Sequence, residues 1–298
     1  MKKLKFILFF SFLFAGTIFA QEESTFNDYN LVETITTPEG FENQIGQISR
    51  DGKNYFLGLL DNNNKGWIFV YQIKNSGKAT LKQKFEMPVL DQSVVSKKLM
   101  AGDEIYFNGQ VTLSSDELTM VFSGNFGGTW NGNDLYIATR PNKSVNFSEV
   151  KALENINNST SAEAYPCLSP DALRLYYTFN NEVYMSQRAS VTDEFTNGHK
   201  IKLNLEDMGE VISCWVSDDE KTIVLCNGSE VYTATRENQN ALFSKPQILS
   251  ADFSNFDFVS SVNIVGNKVF IYNSETVEKS YEDVGTIEVQ SILIFEKK

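Results

Sequence analysis

Carboxyl groups recur in this chain at regular spacing, and carboxyl side chains are the ones that bind hard cations or transfer protons. One set consists of four aspartates, each two residues after a serine: Asp51, Asp116, Asp171 and Asp219. Ser and Asp at this spacing favour a tight turn in which the carboxylate accepts hydrogen bonds from backbone N–H groups of its own turn. We therefore interpret this set as structural.

A second polar set precedes the apolar segments that lead into these turns. Its members are Glu42, Asn108, Glu163 and Glu210. Carboxylates that converge there could bind a cation such as calcium, or act as an acid–base pair on a sugar. Polar side chains that only line a solvated funnel would give the same pattern. The sequence requires no cofactor, and no motif supports calcium.

Other catalytic chemistry finds little support. The single histidine, His199, excludes multi-histidine metal sites and, in a predicted turn, argues against a Ser–His–Asp triad. The chain has neither a Gly-x-Ser-x-Gly elbow nor a Gly-x-x-x-x-Gly-Lys phosphate loop. Lys and Arg number 26 against 38 Asp and Glu, a net charge of −12. Nucleic acid is therefore not an expected partner, because phosphate contacts need clustered basic residues.

The elements that must position these groups are repeats. The phrase acid–Leu/Val–Tyr–x–Ala/Ser–x–Arg occurs three times, and the second and third copies each begin 48 residues after the one before. The copies are residues 134–140, 182–188 and 230–236. A fixed period of this size indicates a repeat architecture. We expect the tyrosine of each copy to pack between repeats. The arginine is expected either to extend its charged end into solvent or to hydrogen-bond carbonyl oxygens at a strand end.

Strand patterns complete the repeat. Apolar segments flank each Ser-x-Asp turn, and a phrase that begins with Phe closes each unit, at Phe147, Phe195 and Phe243. The same phrase occurs at Phe26, ahead of every other strand, whereas the chain ends on an apolar strand at 291–296. We predict an all-β chain: a single β-propeller with five blades of four antiparallel strands, closed by the N-terminal strand near residues 29–35. Residues 86–104 fit no blade, and a sixth, irregular blade is the alternative.

One unit resembles a known repeat. The segment Ser-Pro-Asp-Ala-Leu-Arg-Leu-Tyr-Tyr at 169–177, followed by Glu-Val-Tyr-Met-Ser-Gln-Arg at 182–188, is similar to the TolB-like, WD40-like β-propeller repeat of bacterial envelope proteins. Three units over residues 105–255 match this repeat. The resemblance implies the fold and leaves the chemistry open, because the family includes scaffolds, binding modules and a few enzymes.

The first twenty residues have the pattern of a secretory signal peptide, with three early lysines, an apolar run at 7–14 and an end at Ala20. We expect residues 21–298 to form the propeller in the periplasm or outside the cell, with no transmembrane segment. Cys214 and Cys226 flank one predicted hairpin and could pair across it. The odd total of three cysteines, with Cys167, favours buried free thiols.

The sequence thus predicts an exported, non-catalytic binding or scaffolding module. Its expected partner is a protein or glycan of the cell envelope, and it is expected to act as a monomer. Inner strands of a propeller line a central channel, so we place the predicted ligand site at one mouth of that channel, at Glu42, Asn108, Glu163 and Glu210. The alternative is a five-bladed glycoside-active enzyme that uses the same carboxylates.

Overall fold

The computed structural model describes residues 29–43, 45–63, 65–88, 106–125, 133–158, 161–206, 208–249, 258–278 and 286–298. The predicted signal peptide, residues 1–20, lies outside these ranges. Throughout the described residues the chain is all-β. None of these residues forms a helix that is long and apolar enough to cross a membrane.

The strands form five antiparallel sheets, which are the five blades of a β-propeller. Blade 1 contains β2 (Phe41–Asn43), β3 (Gln47–Ile48), β4 (Asn54–Asp61), β5 (Gly66–Ile73) and β6 (Ala79–Glu86). Blade 2 contains β7 (Tyr106–Leu113), β8 (Thr119–Asn125), β9 (Asp134–Thr139) and β10 (Ser148–Ala152). Blade 3 contains β11 (Glu163–Leu168), β12 (Arg174–Phe179), β13 (Glu182–Gln187) and β14 (His199–Lys200). Blade 4 contains β15 (Ser213–Val216), β16 (Thr222–Cys226), β17 (Val231–Thr235) and β18 (Gln247–Ile248). Blade 5 contains β19 (Phe258–Val265), β20 (Lys268–Glu278), β21 (Thr286–Lys297) and, at its outer edge, β1 (Tyr29–Thr36).

The ring of blades is closed. Inner strands contact one another in order, from β3 to β7, β11, β15 and β19, and β19 returns to contact β3. The N-terminal strand β1 pairs antiparallel with β21, with Thr34 opposite Leu293 and Ile35 opposite Ile292. The prediction of five blades closed by the N-terminal strand is therefore confirmed. The segment that suggested a sixth blade lies mostly outside the described residues.

The Ser-x-Asp motifs form turns between the first two strands of a blade, and their aspartates are structural as predicted. In all four, the serine Oγ lies 2.6–2.7 Å from the aspartate Oδ1, and that Oδ1 accepts a backbone N–H two residues later at 2.9–3.0 Å. The residue after the aspartate has a left-handed φ, at Gly52 (71°), Glu117 (58°), Ala172 (58°) and Glu220 (55°). Each aspartate therefore hydrogen-bonds within its own turn, and the four carboxylates do not come together in one site.

The arginine of the Tyr phrase ties together the three motifs of a blade, and the prediction that it bonds carbonyl oxygens is confirmed. Its Nε donates to the carbonyl oxygen of the left-handed turn residue at 2.7–2.8 Å in blades 2, 3 and 4. Its guanidinium lies 4.4–4.6 Å from the ring centroid of the phenylalanine that opens the closing phrase. The pairs are Arg140 with Phe147, Arg188 with Phe195 and Arg236 with Phe243.

The hydrophobic core lies between neighbouring blades, where adjacent sheets pack face to face. The largest cluster joins blades 3, 4 and 5 and contains all three cysteines. Cys167, Cys214 and Cys226 are buried free thiols, as the sequence favoured. A core divided in this way holds the blades in a fixed ring, and that ring positions the inner strands around the axis.

Candidate functional site

The structure does not gather the four predicted ligand residues into one described cluster. Glu163 begins β11 and is fully buried, whereas Glu42 on β2 and Glu210 ahead of β15 are exposed. Asn108 lies in β7, and its side chain is outside the described part of the structure. None of the three described side chains lines the cavity on the propeller axis. Their role in ligand binding remains a prediction.

Glu163 lies between blades 2 and 3. Its backbone N–H donates to the carbonyl oxygen of Asn133 at 3.0 Å, and its Oε1 accepts the N–H of Asn158 at 3.1 Å. Its Oε2 has no hydrogen-bond partner. Burial raises the pKa of this carboxyl to about 8, against the opposing effect of the Asn158 hydrogen bond, and the nearby Asp134 raises it further. The charged groups that face Glu163 are Asp134 of β9 and, when ionised, Tyr177 of β12.

This carboxyl gives the fold a defined pH dependence. Because its pKa is raised in the folded state, its contribution to stability is complete below the ordinary glutamate pKa of 4.5 and is lost as the pH rises through about 8. We expect Glu163→Gln to match the wild type near pH 4.5 and to have a free energy of unfolding about 2–4 kcal/mol higher at pH 8.5. Urea unfolding between pH 4.5 and 9 measures both curves.

The matched control is Glu210→Gln, the exposed glutamate near the corresponding place in blade 4. Comparison with this variant separates the effect of burial at position 163 from the effect of removing one carboxylate. A Glu163→Gln variant that differs from the wild type by the same amount at every pH would contradict a raised pKa of Glu163.

The axis of the ring holds a polar cavity with about 290 Å³ of empty space, part of it open to solvent. Its lining residues come from the inner strands of all five blades, and include Gln47, Gln110, Tyr165, Trp215 and Asn263. Among the described residues, no Asp or Glu lines it. The cavity wall therefore combines polar and apolar groups, and its described residues include no acid–base pair.

The inner strands are irregular at the level of this cavity. Blade 1 is interrupted between β2 and β3, and β7, β11 and β19 each have a register shift there. The shift in β11 contains Tyr165, which has a left-handed φ of 50°, a costly conformation for a bulky residue. Gly46 also lines the cavity, where an added Cβ would lie 2.2 Å from the carbonyl oxygen of Phe56. Bulges of this kind redirect side chains and occur frequently beside binding sites.

A belt of side chains surrounds the axis two residues before the turn serine: Gln47, Thr112, Cys167 and Trp215, with Asn263 at the corresponding place in blade 5. All except Trp215 accept a hydrogen bond from a backbone N–H of the next inner strand. The donors are Leu113, Leu168, Val216 and Ile48, at 3.3, 2.9, 3.3 and 3.2 Å respectively. These bonds connect each blade to its neighbour around the axis.

Trp215 breaks the belt pattern. An indole N–H can only donate, so Trp215 cannot accept the N–H that the repeat offers. Its Nε1 has no hydrogen-bond partner, although the residue is only 4% exposed. A buried donor without a partner lowers the stability of the fold by about 1–3 kcal/mol. Because Trp215 carries this cost at a position where the other blades have an acceptor, it is a candidate for a functional residue.

Arg50 crosses the axis at the turn end of the inner strands. Its Nη1 donates to the carbonyl oxygen of Val216 at 2.7 Å and to Asp218 at 3.1 Å, and its Nη2 donates to the carbonyl oxygen of Leu168. The guanidinium lies 5.7 Å from the centroid of the Trp215 ring. One buried cation therefore lies beside Trp215 at this end of the axis.

The site offers no described metal centre. Within the described ranges, no group of three or more His, Cys, Asp or Glu side chains is placed to hold a metal ion. The described polar side chains around the axis are amides, a hydroxyl, a thiol, an indole, a phenol and a buried guanidinium. Among the described cavity residues there is no pair of carboxylates of the kind that glycosidases use.

No protein-family model matches the sequence, and no curated protein matches it. Solved structures with a similar fold include a luciferin-regenerating enzyme, which is 10% identical over 90% of this chain and 92% of that one, with a TM-score of 0.48. The periplasmic gluconolactonase of Pseudomonas aeruginosa is 12% identical over 84% and 72%, with a TM-score of 0.44. The Cps50 (Swd1) β-propeller domain of Myceliophteria thermophila is 8% identical over 91% and 100%, with a TM-score of 0.43. These likenesses concern the fold alone.

Proposed function

We propose that this chain is an exported, non-catalytic binding module, and that a small group of its ligand enters the axial cavity from the open end. The observation that supports this most directly is the cavity itself. Five blades contribute polar side chains to it, and the one belt residue without a structural partner, Trp215, lies in its wall. Binding sites are typically concave places where a few polar groups converge in this way.

The partner that we propose is a protein or glycan of the cell envelope, met in the periplasm or outside the cell by a monomeric propeller. Export is supported by the signal-peptide pattern of residues 1–20. Envelope partners are supported by the resemblance of residues 105–255 to the TolB-like repeat. The exposed Glu42 and Glu210 are then proposed to contact the partner outside the cavity.

The glycosidase alternative has less support. Hydrolysis of a glycosidic bond needs two carboxyl groups about 5–9.5 Å apart on either side of the sugar. Glu163 is buried between blades, and the cavity wall has no carboxyl group among the described residues. A substrate therefore finds no described acid–base pair at the axis.

Two measurements on the full chain test the proposal. On a panel of polysaccharides and aryl glycosides we expect no turnover above buffer. On immobilised envelope proteins and glycan fragments we expect binding that is weakened about tenfold or more by Trp215→Phe, which removes one donor to the ligand. The matched control is Trp67→Phe, because the Trp67 N–H is already bonded to Asp61 at 3.0 Å.

Two outcomes would contradict this function. Turnover that is lost on Glu163→Gln would favour the glycoside-active enzyme. Binding that is equally strong in Trp215→Phe and Trp67→Phe would place recognition away from the axis.

A further inference from the structure

The amide side chains in the cavity wall have a fixed orientation. Gln110 Oε1 accepts the backbone N–H of Tyr165 and the hydroxyl of Ser123, both at 2.8 Å, and Asn263 Oδ1 accepts the N–H of Ile48 at 3.2 Å. A backbone N–H can only donate, so each amide must direct its oxygen toward that N–H. The opposite end of each amide is therefore an NH₂ donor, and both Gln110 and Asn263 line the cavity.

The cavity therefore offers hydrogen-bond donors from three blades. Gln110 of blade 2 and Asn263 of blade 5 carry NH₂ groups, and the wall of blade 4 is formed by Trp215, whose indole N–H is buried and has no partner. A ligand that suits these groups must bring acceptor oxygens. A hydroxyl group suits these donors less well, because it could use only its oxygen lone pairs and its own O–H would find no acceptor among them.

The charge around the cavity favours an anion. Arg50 places a buried guanidinium beside Trp215, and its Nε has no hydrogen-bond partner. Its counter-ion Asp218 lies at 3.1 Å but has a half-exposed side chain, so water screens that carboxylate more than it screens the buried guanidinium. Within the described cavity wall no acidic side chain opposes an incoming negative charge.

Size limits what can enter. The volume that water-sized groups can occupy inside the cavity is about 20 Å³, far below the range of about 300–1,000 Å³ that drug-sized ligands occupy. A whole sugar ring or nucleotide therefore does not fit inside, whereas a planar group of three heavy atoms is small enough to enter. The geometry points to a carboxylate binding site: we propose that the axial cavity binds the carboxylate group of a small organic acid through Gln110, Trp215 and Asn263.

The walls are built to hold such a group in place. Gln110 and Tyr165 lie in the register shifts of β7 and β11, and the strained φ of Tyr165 accompanies the bond from its N–H to Gln110. The same bonds that join the blades thus fix the directions of the donors. Preorganised donors lose little conformational entropy when they bind a ligand.

The test uses the full chain labelled with ¹⁵N, with formate and acetate as probes and acetamide as the neutral analogue, at fixed ionic strength. The indole N–H signal of Trp215 is assigned by its loss in Trp215→Phe. We expect formate and acetate to shift this signal in a saturable way, acetamide to leave it in place, and the Trp67 signal to serve as an internal control. We also expect Trp215→Phe to weaken acetate binding, measured by calorimetry, about tenfold or more.

Asn263→Asp is the most specific variant. It keeps an oxygen for the N–H of Ile48 and replaces the NH₂ donor with a second carboxylate oxygen, so the fold should survive while acetate binding is abolished. The proposal is overturned if acetamide shifts the Trp215 signal as acetate does, if no carboxylate shifts it, or if folded Asn263→Asp binds acetate normally.

The carboxylate site rests on the binding role proposed above, but different results would reject each of the two proposals. Envelope ligands that bind in a Trp215-dependent manner without any response to carboxylates would keep the binding module and reject the carboxylate. Turnover of a glycoside would reject the binding module itself.

Discussion

Deletion of residues 29–36 is expected to abolish cooperative folding and to cause aggregation. These residues form β1, the N-terminal strand that completes blade 5, and without it β21 presents an unpaired edge with the apolar sequence Ser-Ile-Leu-Ile-Phe at 291–295. The ring is then no longer closed by a strand from the other end of the chain, and an exposed apolar edge pairs with other molecules. Thermal melts followed by circular dichroism and light scattering measure both effects.

Point substitutions in β1 test whether the strand stabilises the protein through its buried side chains. Ile35 is 4% exposed and packs against Phe270, Ile292 and Ile294, whereas Leu31 is 40% exposed. We expect Ile35→Asp to lower the free energy of unfolding by about 3 kcal/mol or more, because it buries a carboxyl group among apolar side chains. Leu31→Asp is the matched control and should change it by less than about 0.5 kcal/mol. A deletion variant that melts like the full chain would contradict closure by β1.

Most of the fold could be predicted because the repeat carries its own local chemistry. A serine and an aspartate two residues apart specify the turn between strands, and the phrase that ends in Arg140, Arg188 or Arg236 specifies the third strand and its tether. The position of the N-terminal strand could be predicted because there is one more closing phrase than there are complete units: the phrase at Phe26 has no strands before it. Each of these features acts within one blade or between neighbouring blades, so the spacing of the motifs along the chain was sufficient to predict the blades.

The axial site could not be predicted in the same way. From the sequence we predicted that polar residues at the starts of the inner strands, three of them glutamates, reach the axis. The structure has register shifts in β7 and β11, which alter the side-chain alternation at that level. Glu163 is buried between blades, and Gln110 lines the cavity instead. One signal was present: the position two residues before the turn serine holds Gln47, Thr112, Cys167 and Trp215. Three of these can accept a hydrogen bond, and the tryptophan is the exception on which we base the proposed site.

Glu220→Ala is expected to lower the free energy of unfolding by about 3–5 kcal/mol. Glu220 follows the turn aspartate of blade 4 and is 1% exposed. Its carboxylate accepts two bonds from Arg174 of blade 3, Nε to Oε2 at 2.7 Å and Nη2 to Oε1 at 2.6 Å, and one from the Tyr176 hydroxyl at 2.6 Å. The Arg174 guanidinium keeps its charge when the carboxylate is removed, because the ordinary pKa of arginine lies far above 7. Its remaining counter-ion is then the half-exposed Asp171 at 3.0 Å, and urea unfolding at pH 7 measures the cost of losing the buried partner.

Glu117→Ala provides the matched control, because Glu117 has the same place and the same left-handed φ in blade 2. There the carboxylate meets the neutral amide of Asn54 at 3.2 Å, the exposed ammonium of Lys143 at 3.3 Å and Arg140 at 3.7 Å. We expect a smaller loss of about 1–2 kcal/mol for that variant, because Lys143 is solvated and Arg140 keeps its bond to the backbone carbonyl oxygen of residue 117. Arg174→Met combined with Glu220→Ala should recover part of the larger loss, since the double variant has no buried unpaired charge. Equal losses for the two glutamates, or additive effects of Arg174→Met and Glu220→Ala, would show that the pair does not join blades 3 and 4.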